Sequence, residues 1–192
     1  WQQWIEPLDA WLGDYLQVPL TPGDQPLRLA DLGHYQVEME FWFSSRQVDV
    51  QRLDALVRAQ TLDGAPRPAL APSRLNGLFK GFIDLVFEFE GRFYVVDYKS
   101  NWLGGDALAY HAEAMRQTVL EKRYDLQYVL YLLALHRQLK ARLPDYDYER
   151  HMGGALYLFL RGGAHGVHAE RPPRALIEAL DRLFAGHAEV CP

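Results

Sequence analysis

Apolar and polar residues alternate along residues 34–43 of this chain. The apolar positions of one parity are Tyr35, Val37, Met39, Phe41 and Phe43. Between them stand Gln36, Glu38, Glu40 and Trp42. A period of two residues is typical of a strand with one buried face. The pattern therefore predicts a half-buried strand whose odd-numbered, apolar side chains face the core.

Three further apolar runs predict strands. Two of them, at about 77–89 and 92–99, flank Glu90-Gly91, a turn signal, and the third, 154–160, has the continuous apolar character of a buried strand. Together with the 34–43 strand, they provide enough strands for one sheet.

Apolar residues three and four positions apart predict helices in the intervening segments. The first helix covers residues 1–16, with an apolar stripe of Trp1, Trp4, Leu8, Trp11 and Tyr15. The others are Asp49–Gln60, with Val50, Leu53, Leu56 and Val57 inward, then 106–122, 125–143 with Asp125 as N-cap, and a last helix from Pro172-Pro173 to Ala185, with Leu176, Leu180 and Leu183 inward. Proline and glycine indicate loops at 19–26 and 61–73. The order α, β, α, β, β, α, α, β, α predicts an α/β fold with a mixed sheet flanked by helices.

Composition narrows the class of protein. A chain of 192 residues, 49% hydrophobic and 13% aromatic, is expected to form one folded domain with a good core. The net charge of −5 argues against a free-standing nucleic-acid binder, which is usually basic. The single cysteine, Cys191, excludes a disulfide framework and fits a reducing cytosol. We also find no apolar run long enough to span a bilayer.

Two acids interrupt apolar runs, at Asp84 and Asp97. If Glu90-Gly91 forms a two-residue hairpin turn, Asp84 lies directly opposite Asp97. Carboxylates ~5 Å apart across two strands repel each other, and a divalent cation would reverse that interaction. Lys99 projects from the same face as Asp97. Two carboxylates and one ammonium suit metal-assisted attack on a phosphodiester.

Two other interpretations of these residues stay open. The acid and the lysine could form a structural ion pair on a half-exposed hairpin, without any catalytic role. A one-residue slip of the turn would place the two acids on different faces of the sheet.

These residues also resemble a known family. Asp84 after a short apolar strand, followed by Asp97-Tyr98-Lys99, resembles the motif of the PD-(D/E)XK nuclease superfamily, with Ile83 in place of the family's proline. Five stretches covering nearly the whole chain resemble the RecB-type nucleases within it: 37–41, 81–87, 97–104, 124–131 and 153–162. The resemblance implies a restriction-endonuclease-like fold over residues 1–192. It also implies a DNA nuclease within a helicase–nuclease that processes double-strand breaks with RecC and RecD.

The resemblance implies roles for individual residues. Asp84 and Asp97 would be ligands of Mg²⁺, for which Ca²⁺ or Mn²⁺ could substitute. The Tyr98 carbonyl would be a further ligand and Lys99 the catalytic lysine.

Three more residues join the expected site. Gln127 and Tyr131 match the family's Q-x-x-x-Y element, and residues four apart share a helix face. Glu38 matches the acid that precedes the motif in the family. Its neighbour Glu40 is the alternative, and a solvated carboxylate on an edge strand is the other interpretation of Glu38.

One family feature is missing. RecB-type nucleases use a histidine ligand on a helix well upstream of the acids, whereas the only histidine before the motif here is His34, in a different context. His111, His136 and His151 are expected to be surface or satisfied histidines. We therefore expect the chain to be a fragment that begins after this ligand, with weak or no activity by itself.

A second class of function is an interaction domain. The acidic charge and the tryptophans of residues 1–16 suit a surface held against other subunits, and the resemblance implies contact with the strand-exchange protein RecA. A phage-encoded inhibitor is another candidate partner. A decayed nuclease domain that only holds DNA is a third possibility, but the intact motif argues against decay.

Overall fold

A five-stranded mixed sheet forms the centre of the fold in the computed structural model, which describes residues 1–20 and 27–186. The strands lie in chain order: β1 (His34–Asp49), β2 (Arg74–Phe89), β3 (Arg92–Lys99), β4 (Met152–Phe159) and β5 (Val167–Glu170). β3 and β4 are parallel, and all other neighbours are antiparallel. Part of the predicted 19–26 loop, and Cys191, lie outside the described residues.

Helices cover both faces of the sheet, as predicted. They are α1 (Ile5–Leu16), α2 (Val50–Gln60), α3 (Ala112–Glu121), α4 (Tyr124–Arg142), α5 (Tyr148–His151) and α6 (Arg174–Phe184). The larger core lies between one face and α2, α4 and α6. A smaller cluster on the other face includes Tyr15 of α1 with Leu85, Phe87 and Val96. None of the helices in the described residues is long and apolar enough to cross a membrane.

The predicted element order lacked β5 and α5, and it joined two elements that are separate. In place of one helix over 106–122, a single 3₁₀ turn at Ala107–Ala109 precedes α3. Tyr110 leaves the helical region, and its buried hydroxyl donates to the Asn101 carbonyl at 3.1 Å. His111 then caps α3 by accepting a hydrogen bond from the Ala114 amide. Anchoring of this tyrosine therefore ends the first turn before α3 begins.

The prediction that Asp125 caps α4 was wrong. The N-cap is Arg123, which has a left-handed backbone, and Asp125 lies inside the first turn. Its carboxylate is fully buried and binds the guanidinium groups of Arg67 and Arg123. These ion pairs occupy the oxygens that a cap would offer to the helix amides.

The alternation along β1 was only partly correct. Met39, Phe41 and Phe43 are buried as predicted, but Tyr35 and Val37 are 61% and 62% exposed. Glu38, between the two sets, has a φ of 48°, which interrupts the pleat and switches the faces.

The opposite strand switches faces at the same level. Ile83 and Val86 of β2 are three residues apart, yet both pack in the larger core, where strict alternation would separate them. Because Val37 pairs with Leu85 and Met39 with Ile83, the switch lies at Glu38 and Asp84. The distortion of the sheet is therefore centred on two of the predicted site residues.

The tryptophan stripe is not core in the described structure. Tyr15 is buried, but Trp1, Trp4, Leu8 and Trp11 are all at least 44% exposed. The alternative in which the stripe is a docking face is the one compatible with this exposure.

Candidate active site

The hairpin between β2 and β3 has the predicted register. Leu85 pairs with Val96 and Phe89 with Arg92, so Glu90-Gly91 is a two-residue turn, and both turn residues have positive φ. Asp84 and Asp97 occupy the next position after the last paired residues. There the Asp84 carboxylate accepts a hydrogen bond from the Tyr98 amide at 3.1 Å. Where the two strands separate, a side-chain carboxylate therefore accepts a hydrogen bond from a backbone amide.

Asp97 is the most buried of the predicted acids, with 6% of its surface exposed. Its carboxylate contacts the Lys99 ammonium at 2.5 Å and accepts from the Gln127 amide at 2.8 Å. Burial raises the pKa of Asp97, and the Asp84 charge raises it further, while the hydrogen bond from Lys99 opposes both. The site therefore holds a carboxylate that is costly to keep charged without a further cation.

Lys99 lies on the same face as Asp97, as predicted, and is 7% exposed. Besides Asp97, its ammonium donates to the Gln127 carbonyl oxygen at 2.6 Å. It also lies 3.8 Å from the ring centre of Tyr124 and 4.6 Å from that of Tyr157. Sequence reasoning missed these two tyrosines as parts of the site, because nothing in the sequence distinguishes them from core aromatics.

Gln127 and Tyr131 share one face of α4, as their spacing predicted. The Gln127 amide nitrogen donates to the Tyr131 hydroxyl at 3.0 Å and also reaches Asp97. Burial raises the pKa of Tyr131 to about 12, so its hydroxyl stays protonated at neutral pH. The pair therefore presents a neutral hydroxyl beside the two acids.

The glutamates of β1 are separate from this cluster. Glu38 is exposed, and its backbone lies beside Asp84 in the sheet, but no hydrogen bond or ion pair found in the described structure joins it to the other predicted site residues. Glu40 forms an ion pair with Lys80 at 2.5 Å. Position in the sheet, rather than side-chain contact, is what favours Glu38 over Glu40.

The histidines have other partners or positions. His111 caps α3, the ring of His136 contacts the Tyr146 hydroxyl, and His151 contacts the backbone of Asp147. His34 begins β1 and is exposed. Within residues 1–20 and 27–186, no group of three or more acidic, histidine or cysteine residues is arranged to hold a metal ion.

The donor set nevertheless fits a hard divalent cation. Mg²⁺ binds oxygen ligands and commonly uses only one or two carboxylates, with water completing the shell. Asp84 and Asp97 supply two such carboxylates, and a bound cation would offset both the burial that raises the pKa of Asp97 and the smaller effect of the Asp84 charge.

Comparison with known proteins agrees with the geometry. Residues 24–190 match the model of the PD-(D/E)XK nuclease superfamily. The chain is 46% identical to the RecBCD enzyme subunit RecB of Escherichia coli K12, over 96% of this chain and 16% of that protein. For RecB of Haemophilus influenzae the identity is 38%, over 95% and 15%. For RecB of Mycobacterium tuberculosis H37Rv it is 42%, over 60% and 12%. The chain spans less than one fifth of the length of these relatives. The match to the family model over most of its length shows that the chain belongs to the PD-(D/E)XK nuclease superfamily.

Proposed function

We propose that this chain is the Mg²⁺-dependent DNA nuclease domain of a RecB-type subunit, which acts with RecC and RecD in the cytoplasm to process double-strand breaks. The observation that carries the proposal is that Asp97, Lys99 and Gln127 lie within hydrogen-bond distance of one another. Asp84 accepts a hydrogen bond from the amide of Tyr98, the residue between Asp97 and Lys99. A buried acid and a buried lysine, with a second acid close by at the point where two strands separate, are expected of a catalytic centre rather than of a stabilising ion pair.

Different residues of the chain have different roles in the hydrolysis. The Lys99 ammonium has three donors, two of which bind Asp97 and Gln127, and we assign the third to a phosphate oxygen or the attacking water when DNA is bound. The Tyr131 hydroxyl can donate to the phosphate. Attack by water forms a new bond to phosphorus and breaks the bond to the 3′ oxygen, which takes up a proton and leaves a 5′-phosphate. Bound by Asp84, Asp97 and the Tyr98 carbonyl, Mg²⁺ would neutralise phosphate charge and lower the pKa of water.

A nuclease assay with linear single-stranded DNA and Mg²⁺ tests the proposal, and it uses a RecB-type subunit of the relatives' full length that carries this chain, since the chain spans less than one fifth of that length. Asp84→Ala and Asp97→Ala should each abolish cleavage, whereas Asp145→Asn, at a surface carboxylate that is 69% exposed, should not change it. Cleavage that survives Asp97→Ala would refute the site. Lys99→Ala should remove turnover but keep Mg²⁺ binding in a calorimetric titration, and loss of binding would contradict this division of roles.

The exposed stripe of α1 favours an interaction domain as a second candidate function. Trp4, the N-cap of α1, and Trp11 within it are 56% and 44% exposed, which is unusual for large aromatic residues. Binding to purified RecA, or to a phage inhibitor, should then survive Asp84→Ala/Asp97→Ala and be lost in Trp4→Ala/Trp11→Ala. Loss of binding in the first variant alone would place the contact at the nuclease site.

A further inference from the structure

Two tyrosines from distant parts of the chain enclose the Lys99 ammonium. Tyr124 begins α4, and Tyr157 lies in the middle of β4, where it is the parallel partner of Asp97. Their ring centres lie 3.8 Å and 4.6 Å from the Lys99 nitrogen, within the range of a cation–π interaction. Because only 7% of Lys99 is exposed, these rings replace water around a buried charge.

Tyr157 acts on a second site residue through its hydroxyl. The hydroxyl has one proton, which it donates to the Tyr124 carbonyl at 2.6 Å, and this bond joins β4 to the start of α4, the helix that carries Gln127. Its oxygen lies 3.2 Å from the Gln127 carbonyl oxygen, which accepts from Lys99. The Gln127 amide directs its nitrogen toward Asp97 and Tyr131.

The Tyr124 hydroxyl has a different partner. It donates to the Asn101 side chain at 3.2 Å and makes no hydrogen bond to Lys99 or Gln127 in the described structure. The two tyrosines therefore contribute differently, Tyr124 through its ring and Tyr157 through both ring and hydroxyl.

We propose that Tyr124 and Tyr157 are positioning residues that hold Lys99 and Gln127 in the geometry needed for phosphodiester cleavage. This inference rests on the proposed nuclease function, because it assumes that Lys99 is the catalytic lysine. The Tyr157 hydroxyl holds the start of α4, and with it Gln127, against β4, and the two rings fix the ammonium beside Asp97.

Lysine NMR tests the aromatic enclosure without requiring activity. The chain has four lysines, Lys80, Lys99, Lys122 and Lys140. Protons above an aromatic ring are shifted upfield, so the ε-protons of Lys99, assigned with Lys99→Arg, should resonate upfield of those of Lys122 and Lys140. Lys80, which lies 4.5 Å from the Trp42 ring, is an internal reference.

Two substitutions of Tyr157 separate the effect of its ring from the effect of its hydroxyl. Tyr157→Leu should move the Lys99 signal downfield and leave that of Lys80 in place, whereas Tyr157→Phe keeps the ring and should hardly change it. An unshifted Lys99 signal in the wild type would overturn the proposal. If Tyr157→Leu fails to fold, Tyr124→Leu provides the same test of ring removal.

Kinetics test the hydroxyl. Tyr157→Phe should lower kcat by about five-fold, the effect of one lost hydrogen bond, with KM within about two-fold. Tyr148→Phe is the matched control, because Tyr148 is equally buried and its hydroxyl donates to the Pro172 carbonyl at 2.7 Å, away from the site. Equal kcat values for the two variants would overturn the role of the Tyr157 hydroxyl. These rates are measured in a RecB-type subunit of the relatives' full length that carries this chain, so failure of the nuclease function itself would instead be seen as inactivity of that subunit with the NMR signature of the chain intact.

Discussion

Asp125→Asn is expected to destabilise the fold strongly, although it changes only the charge of one side chain. The Asp125 carboxylate has no exposed surface and binds Arg67 at 2.8 Å and Arg123 at 3.1 Å. The Arg67 side chain is also fully buried. Without Asp125, its remaining partners are neutral oxygens of Thr61 and Ala65. The substitution therefore leaves a buried guanidinium without a counter-charge.

The size of the effect follows from these partners. Removing one member of a buried ion pair typically costs about 3–5 kcal/mol. We expect the lower end, about 3 kcal/mol, because Arg67 keeps neutral acceptors and Arg123 keeps its ion pair with Asp54. Domains of this kind are stable by about 5–15 kcal/mol, so the loss is a large fraction of the total. With a urea slope of ~2 kcal/mol/M, the midpoint should fall by ~1.5 M.

Urea unfolding followed by far-UV circular dichroism measures this difference. Glu149→Gln is the control, because the Glu149 carboxylate pairs with Arg171 at 2.8 Å but is 58% exposed. An exposed pair contributes about 0–1 kcal/mol, so this variant should unfold close to the wild type. A loss below about 1 kcal/mol for Asp125→Asn would refute the reasoning that the buried charge needs its partner.

Three other predictions concern pH, packing and metal. Burial lowers the pKa of His136 in the folded protein, so protonation favours the unfolded chain. The contribution of neutral His136 to stability is therefore complete above the ordinary histidine pKa of about 6.5 and is lost as the pH falls through the lowered value. His136→Gln should therefore show a shallower loss in urea unfolding below about pH 6.5. Gly81→Ala should cost about 1–3 kcal/mol in the same assay, because the added methyl would lie 2.4 Å from the Phe41 ring. Calorimetry should show weak Mg²⁺ binding, since two carboxylates leave most of the coordination shell to water.

Each of these has a control and a contrary result. His34→Gln, at an exposed histidine that begins β1, is the control for the first, and an equal flattening in both variants would contradict the His136 assignment. Gly13→Ala meets no atom within 4 Å, so equal destabilisation at Gly13 and Gly81 would rule out the clash. Mg²⁺ binding that is unchanged by Asp84→Ala would place the metal elsewhere.

The sequence was sufficient to predict the hairpin that carries Asp84 and Asp97, because the register of the hairpin depends on local turn chemistry. Glu90-Gly91 supplies two residues with positive φ, and the pairing of Phe89 with Arg92 follows directly. The helix pair Gln127 and Tyr131 was predictable for the same reason, since their spacing of four lies within one element.

Features that depend on distant contacts were not predictable. The period of two along β1 gives no sign that Glu38 adopts a positive φ and reverses the faces. Asp125 has the residue type of an N-cap near the start of α4, and only the fold brings Arg67 to it. In both cases a tertiary partner or a local distortion overrides a preference that the sequence expresses correctly.

Tyr157 shows why the immediate surroundings of Lys99 could not be predicted from the sequence. β4 is buried on both faces, with Ala155, Tyr157 and Phe159 in the larger core and Leu156 and Leu158 in the smaller one. A strand that is apolar on both sides shows no alternation, so its pattern cannot say which residues face the site. β4 also joins β3 in parallel, after a long connection through α3 and α4, so no turn sets the register. A slip of one residue would replace the Tyr157 ring beside Lys99 with a leucine, which makes the parallel register, rather than any local motif, the determinant of the lysine's environment.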